Sequence, residues 1–419
     1  MDKTQRVGFV STRLAGTDGV SLEVAKWVQV LNGLGHECFF FAGELAWPQE
    51  RSYLVPEAHF DHPTILKLSA DLFDDYIRSP ETSQTVESVK NHLKEHLYRF
   101  VRRFDISLLI VENAMAIPMN VPLGLALTEL IAETEIPTIA HHHDFAWERS
   151  RYSVSAATDY LRAAFPATLH SIIHATINSF GQRQLALRTG ASSLVVPNVM
   201  DFENQPPEPD GYADDLPASL GLGPDDFLLL QPTRIVPRKR IERAIELAKR
   251  LDLPSTLVIS HASGDEGSEY ATFLREYIQL LEVKVRFAED IFSYQRGRTP
   301  DGRKVYSLAD AYYPADLVTY PSTIEGFGNA FLEAIYYRKP IVMSTYEIYR
   351  IDIQPKGFKV IEFGDYITED TVRRTRELLG NPDLVAEIVE HNYETARRHY
   401  SYTNLEKLLA AVISLSVGD

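Results

Sequence analysis

Two stretches in the C-terminal half of this 419-residue chain carry residue types suited to handling an anion beside a polyol. The first is QPTRIVPRKRIERAIELAKRL, Gln231–Leu251, in which Arg234 and Lys239 stand five positions apart just after an apolar run. At a strand-to-helix junction such a pair aims at one diphosphate, the guanidinium as a planar fork and the ammonium as a point charge. Arg238, Arg240 and Arg243 add positive potential there. For Arg240, Arg243, Lys249 and Arg250, pairing with Glu242 and Glu246 along the helix is an adequate explanation. The second stretch is PSTIEGFGNAFLEA, Pro321–Ala334, directly after the apolar run DLVTY. Gly326 and Gly328 let backbone approach a ligand closely, and a helix starting near Gly328 favours an anion at that end. Glu325 is expected to face a reacting sugar. Glu333, inside the helix, is expected to accept hydrogen bonds from vicinal hydroxyls such as a ribose diol.

The N-terminal half offers less specific chemistry. IAHHHDFAWERSRYS, Ile139–Ser153, ends a predicted strand with three histidines and an aspartate. Successive strand residues alternate faces, so His141, His142 and His143 do not all point at one ion, and no metal site is expected. One or two of them read as core or hydrogen-bonded histidines. Arg149, Arg151 and Tyr152 follow and suit an anionic ligand carrying a phosphate or carboxylate. STRLAGTDGVSLEVAKWVQVL, from Ser11, places Gly16 and Gly19 before an amphipathic helix. That spacing is not G-x-G-x-x-G, which counts against a nicotinamide dehydrogenase. VESVKNHLKEHLYRFVRRF, from Val86, sets Leu93, Leu97, Phe100 and Phe104 on one face among basic residues. Such a helix docks on anionic lipid or packs on its own domain, and in so acidic a chain packing is the expectation.

Short β-rich runs alternate with helical patterns, the mark of parallel α/β sheets. Six strands are predicted in the first half, near Arg6, His36, Asp105, Ile136, His174 and Ser192, and six in the second, near Phe227, Ser255, Val283, Asp316, Lys339 and Phe358. Each motif above except the helix from Val86 therefore sits where a parallel strand delivers the chain to the carboxyl edge of its sheet, the usual place for ligands in open α/β folds. DFENQPPEPDGYADDLPASLGLGPDD, from Asp201, has a linker's composition. It divides the chain into 1–205 and 206–401, and a last helix over 402–419 is free to pack back on the first part. With 45% hydrophobic and 24% charged residues the chain can build two full cores. A net charge of −16 argues against nucleic-acid binding. One cysteine, Cys38, no signal-like N-terminus and no run long enough to span a membrane suggest the cytoplasm.

The Arg234–Lys239 pair and the Glu325–Glu333 pair, with PNVMDF from Pro197 at the domain crossing, resemble family 4 of the GT-B glycosyltransferases. The resemblance implies two Rossmann-like domains facing across a cleft and retaining transfer of a hexose, mannose or glucose, from a nucleotide-diphosphate sugar. It implies that Arg234 and Lys239 hold the donor diphosphate, Glu325 the transferred sugar and Glu333 the nucleotide ribose. Backbone of Gly326, Phe327, Gly328 and Asn329, and the loop at Gly19, would touch sugar and phosphate. His143, followed by Asp144, would line the acceptor side, with His143 among the catalytic groups. The family often has glycine where this chain has Thr233 and Arg240. FVSTRLAGTDGVSLE together with HHHDFAWERSRY resembles the mannosylglucosyl-phosphoglycerate synthases, which implies a compatible-solute enzyme with a small anionic acceptor, bound by Asp144, Arg149, Arg151 and Tyr152. A GDP-sugar such as GDP-mannose, or a UDP-sugar, is the expected donor. No cofactor is required, since two cations and a helix start serve the diphosphate, while stimulation by a divalent ion and a homodimer are left open. Competing readings are an anionic-lipid or cell-surface glycan acceptor, a sugar-nucleotide epimerase and a non-catalytic sugar-nucleotide binder.

Overall fold

The computed structural model describes residues 4–16, 18–262 and 268–418. Thr17, in the glycine-containing loop near the N-terminus, lies outside them. Two compact units result, Met1–Val199 with Tyr402–Asp419, and Met200–Ser401.

The first unit is built on β1 (Arg6–Val10), β2 (Glu37–Ala42), β3 (Ser52–Leu54), β4 (Leu108–Glu112), β5 (Thr138–His142), β6 (Ile172–Thr176) and β7 (Ser193–Val195). These pair in the order β3-β2-β1-β4-β5-β6-β7, every pair parallel. β4 and β5 are buried along their whole length, so they read as continuous apolar runs. Helices cover both faces. On one face lie Leu93, Leu97, Phe100 and Phe104 of the helix Pro80–Phe104. Its Lys90 and Lys94 pair with Glu129, and Lys94 also with Glu133, so these two cations serve packing within the unit. On the other face the last helix, Tyr402–Val417, packs Leu405, Leu409, Val412 and Ile413 with Val24, Trp27 and Leu31. Burying each such side chain is worth about 1.5–3 kcal/mol.

The second unit repeats the plan with β8 (Phe227–Gln231), β9 (Ser255–Ile259) and β10 (Val285–Phe287). A small sheet of β11 (Phe292–Ser293), β12 (Gly297–Arg298) and β13 (Lys304–Ser307) follows, then β14 (Leu317–Tyr320), β15 (Ile341–Ser344) and β16 (Ile361–Phe363). The main sheet runs β10-β9-β8-β14-β15-β16, again all parallel. In both units the strand order reverses beside the first strand, between β1 and β4 and between β8 and β14. A crevice opens at such a reversal, at the carboxyl ends of the strands.

The proline-rich segment after Asp201 belongs wholly to the second unit, and the passage between units is at Val199–Met200. Phe202 explains this: it is 1% exposed and packs edge-on against Tyr336 and Tyr393. The Tyr393 hydroxyl lies 3.2 Å from the carbonyls of both Phe202 and Asn204. Among the described residues no helix is long and apolar enough to cross a membrane.

Candidate active site

In the second unit the reversal between β8 and β14 brings the two motifs of this half together. β8 leads through Arg234 into a short 3-10 turn, Pro237–Lys239, and then the helix Ile241–Leu251. β14 leads into the Glu325–Gly328 loop and the helix Asn329–Tyr336. Backbone stitches the two loops: Thr323 N–H donates to the Arg238 carbonyl at 3.0 Å, and its hydroxyl lies 3.2 Å from the same atom. Lys239, 8% exposed, forms an ion pair with Glu325. Arg238 reaches Glu325 at 3.4 Å and donates to the Ile324 carbonyl at 3.1 Å. The Tyr320 ring lies 5.5 Å from the Lys239 ammonium. Burial lowers the Lys239 ammonium from its ordinary range, Glu325 opposes that shift, and Arg238 and Arg234 add to it. Burial by itself would raise the Glu325 carboxyl; Lys239 and Arg238 outweigh it and hold it low. Arg234 is exposed, and among the described residues its guanidinium has no hydrogen-bond or ion-pair partner. The cations thus outnumber the one carboxylate among them, and the centre is poised for an anion.

The glycine loop is fixed by close approach. Gly328 has φ +125°, and a Cβ there would stand 2.4 Å from the Tyr346 hydroxyl oxygen. That hydroxyl donates to the Phe327 carbonyl at 2.7 Å, and Phe327 itself is buried against Tyr400. Glu333 accepts from the Tyr312 hydroxyl at 3.0 Å. Asn329 is the first residue of the helix, and Gly326 sits exposed before it. Arg240 has φ +47°, the left-handed backbone that glycine adopts freely. The turn is kept without the glycine. Arg240 pairs with Asp365 and Glu242, Arg243 with Glu246, and Arg250 with Glu246 and Glu369, so these arginines line an ion-paired helix face.

In the first unit the centre is an anion. Glu112, the last residue of β4, is 0% exposed and stands beside His141 of β5 in register. His141 Nδ1 is 2.9 Å and His143 Nε2 3.3 Å from the same carboxylate oxygen, Oε2. His142 points to the other face and meets His174 at 2.9 Å. The alternation of strand faces therefore separates the three histidines as two and one. Burial would raise the Glu112 carboxyl, but His141 and then His143 hold it down to about 2. Burial would lower His143, and Glu112 reverses this, so its imidazole keeps a proton more readily than usual. His142 and His174 are pushed down by burial, His174 to about 4. Trp27 stacks on His141 with ring centroids 4.2 Å apart.

Beside this cluster Asn113, left-handed at φ +60°, accepts from the His143 N–H at 3.0 Å and donates to Asp144 at 3.1 Å. Asp144 in turn holds the Arg149 guanidinium at 2.5 Å. Arg151 is exposed and lies over the Tyr152 ring. Tyr152 departs from the acceptor role expected of it. It is 5% exposed, its ring packs edge-on against Phe73 in the core, and its hydroxyl is buried. An apolar cluster of Leu72, Phe73 and Phe165 captures the ring, which spacing alone does not reveal. Gly19 opens the helix Gly19–Gly33, whose first N–H groups at Val20 and Ser21 are capped by Asp18, itself paired with Arg13. This helix start thus carries its own carboxylate.

The sequence reading passed over Glu112, Asn113 and His261. Glu112 and Asn113 close an apolar strand, and a lone acid after LLIV was the available signal. His261 follows β9, and its imidazole lies 2.9 Å from the Ser260 hydroxyl. Burial, then Arg234 and Lys239, push it down to about 4, which places it in the field of the two cations. The small β11–β13 sheet was also missed, although its T-P-D-G turn is a recognisable reversal.

Comparison with known proteins agrees with this geometry. Residues 213–395 match the model of glycosyl transferases group 1. A mannosylglucosylglycerate synthase of Thermotoga maritima is 31% identical, over 97% of this chain and 99% of its own. A mannosylglucosyl-3-phosphoglycerate synthase of Petrotoga mobilis is 25% identical over 51% of this chain and 42% of its own. The Anabaena HepE protein, solved with UDP and with UDP-glucose, superposes with a TM-score of 0.65 at 14% and 13% identity, over 98% of this chain and 99% of its own. Two Rossmann-like parallel sheets with paired motifs at the β8–β14 reversal are the GT-B plan, and the chain belongs to the group 1 glycosyltransferases.

Proposed function

We propose that this glycosyltransferase moves a mannosyl group, with retention at the anomeric carbon, from a nucleotide-diphosphate sugar to glucosylglycerate. The observation that carries the donor half is the buried Lys239, held with Arg238 beside Glu325 at the strand reversal, with Arg234 unpaired nearby. An anion arriving there meets a desolvated ammonium and a free guanidinium. Both stabilise the charge that grows on a leaving diphosphate, and preorganised groups in a dry site do this best. Glu325 then faces the sugar and Glu333 the ribose, with backbone of Gly326, Phe327, Gly328 and Asn329 against sugar and phosphate. The departing phosphate takes the acceptor proton on the face it leaves, through an oxocarbenium-like state. The second unit binds the donor. The first unit binds the acceptor through His143, Asp144, Arg149 and Arg151.

The acceptor reading rests on coverage. The relative named for an unphosphorylated product matches nearly end to end, whereas the one named for a phosphoglycerate product matches about half the chain. In addition, Arg149 is already neutralised by Asp144, which leaves one free arginine, Arg151, where a phosphate dianion would call for more. The test is transfer from GDP-, UDP- and ADP-hexoses to glucosylglycerate and to its 3-phosphate, with the product's anomeric configuration read by NMR. Preferred mannosyl transfer to glucosylglycerate is expected. Transfer only to the phosphorylated acceptor, or inversion, would overturn this reading.

A further inference from the structure

Glu112 poses a charge problem. Its carboxylate is fully buried, and among the described residues no lysine or arginine pairs with it. Both partners are imidazoles, both approach Oε2, and among the described residues Oε1 has no hydrogen-bond partner. A buried carboxylate needs a cation close by, or a full set of donors.

We propose that Glu112, His141 and His143 form a binding site for one divalent transition-metal ion of the zinc class. The three side chains come from adjacent strand ends, with His141 and His143 on one face and Glu112 the cross-strand neighbour of His141. One ligand atom from each lies within 4.8 Å of the others. Tetrahedral bonds of about 2.0–2.2 Å set neighbouring ligand atoms about 3.4 Å apart. The Glu112–His143 separation of 3.3 Å already matches, and a small ring movement accommodates the rest. Two imidazole nitrogens and one carboxylate suit Zn²⁺ and its neighbours and leave a coordination position open. His142 takes no part, because it faces His174. An ion of charge 2+ on one carboxylate keeps a net positive charge, so the open position favours an oxygen anion. His143 is the ligand that reaches the surface, with 10% of its side chain exposed against 0% for the other two, so the opening lies on its side, where Glu23 and Asp144 are the nearest other charged groups. That this oxygen belongs to the acceptor's carboxylate rests on the function proposed above; binding of the ion does not.

The experiment uses the full chain without an affinity tag, stripped with a chelator and titrated with Co²⁺ while visible absorption is followed. One equivalent should bind with the bands of four- or five-coordinate cobalt, and Zn²⁺ should displace it. His143→Asn and Glu112→Gln should each weaken Co²⁺ binding by about 100-fold or more. Glu112 is buried, so if its variant fails to fold, His143→Asn, at the partly exposed ligand, decides the matter with its fold checked by circular dichroism. D-glycerate added to the Co²⁺ form should shift the bands. Absence of saturable uptake at micromolar Co²⁺, or equal uptake by the variants, overturns the site and leaves a proton on His143 as the compensating cation. Bands indifferent to D-glycerate overturn the open position. Metal binding that persists while the transfer assay fails would sink the functional reading alone.

Discussion

The two sheets end in centres of opposite charge. At the carboxyl ends of β4 and β5 a buried carboxylate, Glu112, gathers imidazoles and lacks a strong cation. At the carboxyl ends of β8 and β14 a buried ammonium, Lys239, has one carboxylate and two guanidiniums around it, and is short of anions. Both sheets are parallel throughout, but the cation centre lies at its sheet's reversal, β8–β14, whereas the Glu112 centre lies one strand beyond the reversal at β1–β4. Parallel strands thus deliver both centres to a carboxyl edge, and a few strand-end residues decide which charge each one gathers. The histidines register the difference. Glu112 raises His143 against its burial, whereas Arg234 and Lys239 add to the burial that already lowers His261.

Lys239 is the residue whose loss should change the second centre most. Lys239→Ala removes the buried charge that the second centre is built around and should lower kcat/KM by about 10²–10³-fold. It also leaves Glu325 with Arg238 alone, so a loss of stability is expected with it. Steady-state kinetics at saturating acceptor, beside a urea melt, separate the two effects. Turnover near that of the parent would mean that the cation centre is structural and not catalytic.

Arg234 sharpens the same point from the exposed side. It has no partner to lose among the described residues, so Arg234→Ala should leave stability within about 0.5 kcal/mol. Donor affinity should nevertheless fall by about 1.4–2.8 kcal/mol, a ten- to hundred-fold rise in Kd by calorimetry with the nucleotide diphosphate. A stability loss without a change in Kd would place Arg234 in the scaffold.

The cation cluster was legible because Arg234 and Lys239 stand five positions apart directly after the apolar run of β8, a pattern carried by local sequence. The strands were legible for a related reason: the runs of both sheets are apolar and are punctuated by Gly and Pro. β3 escaped because Ser52–Leu54 is three residues long and only half-buried. The pairing of Lys239 with Glu325 joins residues far apart in the chain, and no local pattern encodes it. Glu112 was hidden for the same reason, since its meaning depends on His141 lying across from it. Tyr152 misled because an aromatic beside two arginines looks alike whether it faces solvent or, as here, Phe73.

The contrast between the histidines has a pH signature. His261 is held near 4, against an ordinary 6.5, by burial and by Arg234 and Lys239. Between these values the unfolded chain takes up a proton that the folded chain refuses. Stability therefore falls as pH drops from 6.5 toward 4, by up to about 3 kcal/mol from this group. His261→Asn should flatten that part of the profile of urea midpoint against pH. A bound nucleotide diphosphate should flatten it too, because its negative charge opposes the two cations. If the parent's profile between pH 6.5 and 4 is unchanged by His261→Asn, then His261 lies outside the field of the second centre.

The smallest effect concerns the turn that carries Lys239. Arg240 holds a left-handed backbone at φ +47°, which costs a side chain about 1–2 kcal/mol and glycine nothing. Arg240→Gly removes that strain but also loosens the unfolded chain by about 0.5–1 kcal/mol and gives up the pairs with Asp365 and Glu242. These terms nearly cancel, so the melting midpoint should barely move. Because the backbone around Lys239 already has the shape that glycine would give it, kcat and donor Kd should stay at parent values. A large fall in kcat with an unchanged melt would show that the Arg240 side chain itself acts in the cation centre, extending the contrast between the two sheet ends by one more charge.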